Sequence, residues 1–409
     1  MDIDKDAKRI SKIALLLPLY FSQGLPYGFQ ATALSAYLRT QHVNLETIGF
    51  LGALSLPWVL KALWAPLAER YYSPKFGKRK SWIVPLQTLM ILSFIVASFI
   101  PAQEHFIAFL SSVFVMNLFG ATQDIAVDGL AIDLLKNEEL GIGNSAQVAG
   151  YKVGMIMGGG ILVWLSSFFG WEGMFILMAI CATVPLIIIC FYHEPETTEN
   201  GAVVVALDWK EILQKIKGIF TVRGTYWLIA FVLTYKFGES MIDVMFKPFL
   251  VDIGYITARI GLLVGTYGMI ASLLGSVLGG VLSSKINFWK ALGIAALFRT
   301  FPLIMEWYLA YGNPSDTLIV VTMIAEHFFG GILTTTMFAY MMSQIDRNIG
   351  TTHYTLLSSF ELIGKSIAGG ASGFLASFYG YANLFALGVG LSLITLFLLF
   401  KINRQPLKV

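Results

Sequence analysis

The sequence predicts an all-α membrane protein with twelve transmembrane helices in two pseudo-symmetric six-helix bundles. Three observations carry that prediction. First, 56% of the 409 residues are hydrophobic and only 13% are charged, with a mean hydropathy of +0.71. A soluble domain is nearer half apolar and a quarter charged. Second, apolar stretches of about twenty residues recur from end to end, each long enough to cross a bilayer core of roughly 30 Å. Third, a segment that follows the fifth stretch returns after the eleventh.

Inside lipid the backbone has no water to bind, so each stretch should be a helix. The spans fall at about 13–38, 46–69, 81–101, 106–135, 145–169, 172–193, 224–251, 257–284, 288–311, 316–343, 351–378 and 382–401. They divide the chain into an N-terminal bundle (1–193), a cytoplasmic linker (194–223) and a C-terminal bundle (224–409). Within the linker, LDWKEILQKIKGIF alternates apolar and charged residues at helical spacing, which predicts an amphipathic helix on the membrane surface. The internal repeat supports the two halves. WLSSFFGW (164–171) lies over FLASFYGY (374–381), and at the same offset Gly154 matches Gly364 and Gly160 matches Gly370.

Lysine and arginine set the orientation. The termini, loops and span ends on their side hold twenty of these residues, including Arg70, Lys78, Arg79, Lys80, Lys136 and Arg347. The opposite loops hold two, Arg39 and Arg259. The positive-inside rule then places both termini in the cytosol. The N-terminal MDIDKDAKRISK enters a full-length apolar helix with no small-residue cleavage site, so the first helix is expected to be its own insertion signal.

The loop after span two reads APLAERYYSPKFGKRK. An acid-base pair, Glu69 and Arg70, precedes Gly77 and the basic cluster Lys78, Arg79 and Lys80. The basic cluster by itself obeys the positive-inside rule. The whole pattern suits a gate in which Glu69, Arg70 and Arg79 take part, with Glu69 locking to a basic or helix-terminal partner in one state and releasing it in another.

Ionisable residues within spans are costly and mark candidate sites. Asp124 and Asp128 stand four residues apart in FGATQDIAVDG, on one face of span four. Like charges this close repel unless a cation or a proton intervenes, which makes the pair a candidate for proton coupling. Lys152, on the next span, has no acid at helical spacing on its own helix and is an obvious neutralising partner. Lys61 also lacks a same-helix acid, although its long stem could snorkel. In span seven, Lys236, Glu239, Asp243 and Lys247 step by three, four and four along one face. They either neutralise one another or form a polar stripe facing a cavity, with Glu239 and Asp243 as further proton-coupling candidates. Glu361 and Lys365 have the favourable order for an i, i+4 pair. Arg299 shares a face with Glu306, whereas Glu326 and His327 are adjacent and should point apart. Gln23 and Tyr27, in the proline-bearing FSQGLPYG, could face a solute, or the proline could simply kink the helix.

Several other chemistries find no support. Cys181 and Cys190 share one apolar stretch and have no metal-site spacing. The glycine runs at 158–160 and at 275, 279 and 280 are small-residue packing faces, without the lysine that would complete a phosphate loop. No nucleophile-base arrangement accompanies the acids. No metal, cofactor or nucleic acid is expected, and the chain should not be an enzyme.

YFSQGLPYG, LPWVLKALWAPL, GATQDIAVDGL and GYKVG, in this order, resemble the signature segments of the peptidoglycan-fragment permease and acetyl-CoA transporter family of the major facilitator superfamily. The resemblance covers most of residues 20–160. ELGIGNSAQVAGYKVG (139–154) is most similar to the branch called major facilitator superfamily domain-containing protein 3, and bacterial siderophore importers of the inner membrane resemble the same twelve-span form. The resemblance implies two parallel six-helix halves around a midplane site, with Gln123, Asp124, Asp128, Tyr151 and Lys152 at matching motif positions. Muropeptide permeases typically carry two further C-terminal helices beyond the twelve spans expected here, which counts against a muropeptide solute.

The expected function is secondary active transport of a polar organic solute by alternating access, coupled to protons through Asp124 and Asp128 or the span-seven acids. The solute would meet Gln23, Tyr27, Lys61, Gln123, Tyr151, Lys152, Lys236, Lys247, Arg299, Glu326, Glu361 and Lys365. Candidates are peptidoglycan fragments, siderophores, or acyl-CoA and peptide-like anions. The protein is expected as a monomer in the bilayer, in a bacterial inner membrane rather than an organelle. A membrane-embedded transferase and a non-transporting receptor are the alternatives. The first predicts turnover without vectorial movement, the second an occluded or empty cavity.

Overall fold

A computed structural model describes residues 3–30, 34, 54–101, 104–194, 198–199, 202–203, 208–222, 224–255, 257–312 and 314–403. It is almost wholly helical. The helices are α1 (Ile3–Gly28), α2 (Leu56–Leu60), α3 (Ala65–Arg70), α4 (Lys80–Ser98), α5 (Phe106–Leu134), α6 (Leu140–Ile156) and α7 (Leu162–Phe191). They continue with α8 (Trp209–Thr221), α9 (Thr225–Thr234), α10 (Phe237–Asp252), α11 (Met269–Lys285), α12 (Phe288–Leu309), α13 (Asp316–Ser343) and α14 (Gly350–Asn403). One two-residue strand pair, Thr198–Glu199 with Ala202–Val203, interrupts the linker. Seven helical stretches among the described residues are long and apolar enough to cross a bilayer, or eight if one bent pair forms a single span. Arg39 and the first part of the expected second span lie outside the described residues.

Two of those stretches are double. Asn137–Phe191 and Arg347–Leu399 run 55 and 53 residues, and each breaks at a glycine of positive φ, Gly170 (φ 70°, ψ 174°) and Gly380 (φ 75°, ψ 166°). A side chain is rarely tolerated at that φ. The two glycines stand at the offset read from the repeat. So do the short 3-10 turns that open each stretch, Asn137–Glu139 and Arg347–Ile349. The aromatic residues beside the breaks repeat as well: Trp164 packs edge-on against Phe168, and Phe374 lies tilted against Phe378, all of them exposed.

Two expected spans are broken where charges sit. In span two, α2 gives way to a 3-10 turn, Lys61–Leu63, before α3 begins. Pro66 has no amide proton and would clash with the carbonyl four residues back, so a regular helix cannot pass. In span seven, α9 ends at Thr234 and α10 begins at Phe237, with Lys236 as the capping residue (φ −106°, ψ 8°).

The chain forms two compact units. The first comprises Met1–Lys136, Ala146–Gln214 and Arg347–Thr355; the second comprises Asn137–Ser145, Lys215–Asp346 and Leu356–Val409. In the first unit, Leu25, Phe29, Met90, Phe94, Phe109, Met116, Met174 and Phe175 form the core of α1, α4, α5 and α7. α1 meets α6 backbone to backbone. A Cβ on Gly24 would strike Tyr151 O, and one on Gly154 would strike Phe21 O. The C-terminal half of α5 is buried on every side, from Gln123 to Ile132, so its acids have no lipid face. The second unit has its own core, with Ile242, Phe246, Leu250, Leu303, Leu309 and Phe385. There Gly275 lies against Phe328 O and Gly331 against Ser272 O, which brings α11 and α13 close together.

Candidate functional site

The break in span two turns Lys61 into the first unit, where its ammonium contacts Asp124 Oδ2; the two side chains are 8% and 11% exposed. The sequence offers Lys152 as a neutralising partner for the Asp124 and Asp128 pair; the structure also brings Lys61 to Asp124. Taking an unpaired carboxylate out of water costs several kcal/mol, so burial of Asp124 requires such a partner. Lys61 also sits 5.9 Å over the Trp58 ring. Trp58 donates its indole N–H to Asn117 Oδ1 at 2.9 Å, which fixes the ring. Tyr27, Trp58 and Tyr151 then form an aromatic triangle, with centroid separations of 6.2, 5.6 and 6.2 Å. Tyr27 and Tyr151 are half-buried, as is Lys152 one residue further along α6.

Asp128 is fully buried and accepts two bonds from neutral donors, Tyr20 Oη at 2.9 Å and Gln147 Nε2 at 3.0 Å. Hydrogen bonds to a charged group contribute about 1.5–3 kcal/mol each, comparable with the several kcal/mol that burial of the charge costs. Asp128 thus stands without a cation in hydrogen-bond contact among the described residues, whereas Asp124 has one. Behind them Gln87 accepts from Ser22 at 3.0 Å and from Gln123, and donates to Ala182 O at 2.7 Å. Both amide atoms of Gln23 are buried without a hydrogen-bond partner among the described residues.

Arg299 organises the second unit. From α12 its Nε donates to Glu239 at 3.1 Å, its Nη2 to Glu326 Oε1 at 2.5 Å and its Nη1 to Glu326 O at 2.8 Å. Lys236 lies 3.6 Å from Glu239 and donates to Thr334 Oγ1 at 2.8 Å. His327 Nδ1 contacts Glu326 Oε2, although neighbouring residues were expected to diverge. Glu361 accepts from Lys365 at 2.8 Å, one turn away, and from Tyr235 Oη at 3.0 Å. The span-seven stripe is therefore divided. Glu239 meets Arg299 and also holds Lys236, while Asp243 and Lys247 are exposed on α10.

Glu69 ends α3 fully buried. It accepts from Lys78 at 2.7 Å and from the backbone N–H of Thr351 at 2.9 Å, and lies 3.5 Å from Arg79 Nη1. Thr351 is in the first turn of α14, where N–H groups have no partner in their own helix. Arg79, also buried, donates Nε to Asp133 at 2.7 Å. Burial opposes its charge, but Asp133 and Glu69 beside it outweigh that and push the guanidinium above its ordinary range. Glu194 accepts the backbone N–H groups of Arg79 and Lys80 at 3.0 and 2.9 Å. Arg70 has a looser and exposed contact with Asp208, 3.8 Å away.

Sequence reasoning did not single out Tyr20, Trp58, Gln87, Gln147, Asp133 or Glu194. Each is an ordinary residue for its setting, and only the partner across the helix interface gives it a role. A surface groove of about 630 Å³, lined by Tyr71, Tyr72, Phe76, Trp82 and neighbours, borders the basic cluster, with Lys78 6.0 Å over the Tyr72 ring and Lys80 5.5 Å over the Phe76 ring.

A family model described as acetyl-coenzyme A transporter 1 matches residues 12–170, the region that holds Lys61, Asp124 and Asp128. The anhydromuropeptide permease of Escherichia coli is 27% identical over 397 residues, which cover 97% of this chain and 80% of the permease. A Rickettsia felis protein described as transporter AmpG 4 is 25% identical over 93% of this chain and 94% of its own length. Among solved structures, the proton:xylose symporter XylE superposes with a TM-score of 0.72 at 11% identity, covering 97% of this chain and 96% of the symporter. The human organic anion transporter MFSD10 gives 0.69 at 14% identity, covering 96% of this chain and 99% of its own. Both share the fold of the major facilitator superfamily. The helical architecture and these relatives together make the protein an integral membrane transporter, similar in sequence to the AmpG-like permeases and in fold to the transporters of the major facilitator superfamily.

Proposed function

We propose that the protein is a proton-coupled secondary transporter of a polar organic solute, working by alternating access between two halves of six spans each. The buried Lys61–Asp124 pair beside the Tyr27–Trp58–Tyr151 triangle is the observation that carries this reading. A buried cation and carboxylate bound to each other can trade that bond for a solute group or a proton. The aromatic faces beside them suit a ring or an acyl surface. Asp128, held by neutral donors, is the second coupling acid of this unit, with Gln23, Gln123 and Lys152 as further solute contacts.

In the second unit Lys236, Arg299, Glu326, Glu361 and Lys365 supply polar contacts, with Lys247 and Asp243 exposed further along α10. Glu69, Arg70 and Arg79 form the gate. The Glu69 carboxylate holds the start of α14 at Thr351, and its release would accompany opening. In this reading both termini lie on the cytosolic side of a bacterial inner membrane, and the monomer is the working unit.

The solute class follows from a mixture of lysine, arginine and carboxylates beside aromatic rings: a compound with carboxylate, amide or phosphate groups on an organic frame. Peptidoglycan fragments come first, because the Escherichia coli relative is an anhydromuropeptide permease. Siderophores and acyl-CoA or peptide-like anions follow. The test is uptake into proteoliposomes of labelled anhydromuropeptide, a siderophore and acetyl-CoA, with and without an imposed pH gradient. One solute should accumulate only with the gradient, and Asp124→Asn should abolish that accumulation. Uptake that ignores the gradient in both proteins would remove the coupling claim.

A further inference from the structure

Glu306 plays no part in the contacts described above. It follows Arg299 on α12 by seven residues, about two turns, so both side chains leave the same face. It is 1% exposed, and its Oε2 is buried without a hydrogen-bond partner among the described residues. Arg299 is already committed to Glu239 and to both the side chain and the carbonyl of Glu326. The charged groups that act on Glu306 are Glu326 from α13, Arg299 on its own helix, and Asp243 and Glu239 from α10. Three of the four are acids. His327, also on α13, is in contact with Glu326.

The other acids near it differ in kind. Glu239 and Glu326 each have Arg299, Glu326 adds His327, and Glu239 adds Lys236. Asp243 reaches the surface of α10. An ionised Glu306 would be a third carboxylate competing for one guanidinium in a site closed to water. Leaving such an ion uncompensated costs several kcal/mol, and a proton removes that cost.

We infer that Glu306 is a proton-binding site whose occupancy is exclusive with pairing to Arg299. It holds a proton while Arg299 stays on Glu239 and Glu326, and releases it when Arg299 turns to Glu306. This rests on the proton-coupled reading above, and it moves the coupling acid of the second unit from Glu239 or Asp243 to Glu306.

Infrared difference spectroscopy on the purified full chain, titrated across the neutral range, reads protonated carboxyl groups with no solute present. The wild type should show a protonated-carboxyl C=O band that Glu306→Gln removes. Glu326→Gln, which takes one partner from Arg299, should make that band disappear at lower pH. Glu306→Gln should also melt close to the wild type, because the amide imitates the protonated acid. An unchanged band in Glu306→Gln, or a Glu306→Gln protein that fails to fold, overturns the site. Proteoliposome uptake of labelled anhydromuropeptide separates the two readings. Gradient-blind uptake by the wild type with the band intact removes the coupling and leaves the site. Gradient-driven uptake that is unaltered in Glu306→Gln removes the role of Glu306 alone.

Discussion

Lys61 and Asp124 come from positions 63 residues apart and close on one another inside the first unit, with side chains about one-tenth exposed. The pair exists because a proline-broken helix places Lys61 on a turn rather than along a regular span.

Breaking this pair should harm the protein more than deleting it. Lys61→Met leaves Asp124 buried and uncompensated, and should cost about 3–5 kcal/mol of stability. Lys61→Met with Asp124→Asn should recover most of that loss while leaving transport absent. Thermal melting of the purified single and double variants completes the cycle. Additive losses would show that the two side chains do not depend on each other.

Glu69 bonds Lys78 and the Thr351 N–H while lying against Arg79. Glu69→Gln keeps the shape and removes the charge. Each charge-assisted bond contributes about 1.5–3 kcal/mol, so α14 should detach at its start more often. A cysteine at Thr352, which is buried here, should react with a maleimide several-fold faster in the Glu69→Gln background, after Cys181 and Cys190 are replaced. An unaltered rate would argue against the gate.

The glycines paired by the internal repeat should respond in pairs. A Cβ at Gly154 meets Phe21 O, and one at Gly364 meets Leu233 O, whereas Gly160 and Gly370 have nothing within 4 Å. Overpacking of this kind costs about 1–3 kcal/mol. Gly154→Ala and Gly364→Ala should lower the melting temperature, and Gly160→Ala and Gly370→Ala should leave it within error. The opposite pattern would mean that the two helix pairs do not approach as closely as described.

Alkaline pH should loosen the segment around Tyr255. Its hydroxyl bonds Asp316, and Arg259 pairs with the same carboxylate. Partial burial first, and then Asp316, push the phenol up to about 12. The ordinary value is about 10, so the fold favours the neutral phenol. That contribution is fully present below about pH 10 and is lost as pH rises through about 12. The difference in melting temperature between wild type and Tyr255→Phe, followed across this window, should shrink as pH rises. A difference that stays constant would mean the phenol carries no such shift.

The sequence by itself determined the helices and the acids that must be inside. Lipid cannot hydrogen-bond a backbone, so apolar run length alone marks a span, and a carboxylate within such a run announces a cost. The repeat was equally legible, because WLSSFFGW and FLASFYGY carry the two glycines, Gly170 and Gly380, that the structure turns to positive φ. The Glu361–Lys365 pair could be read too, since its geometry is set by one helix.

Only the tertiary structure decided who neutralises whom. Asp124 meets Lys61 from a broken span, Asp128 meets Tyr20 from 108 residues away, and Arg299 takes Glu239 and Glu326 while Glu306 Oε2 has no hydrogen-bond partner among the described residues. Spacing along one helix fixes which side chains share its face. Which face of another helix lies opposite depends on how closely two backbones can approach and where a helix breaks, at Gly24 and Gly154 or before Pro66, and those contacts join residues that are remote in the chain.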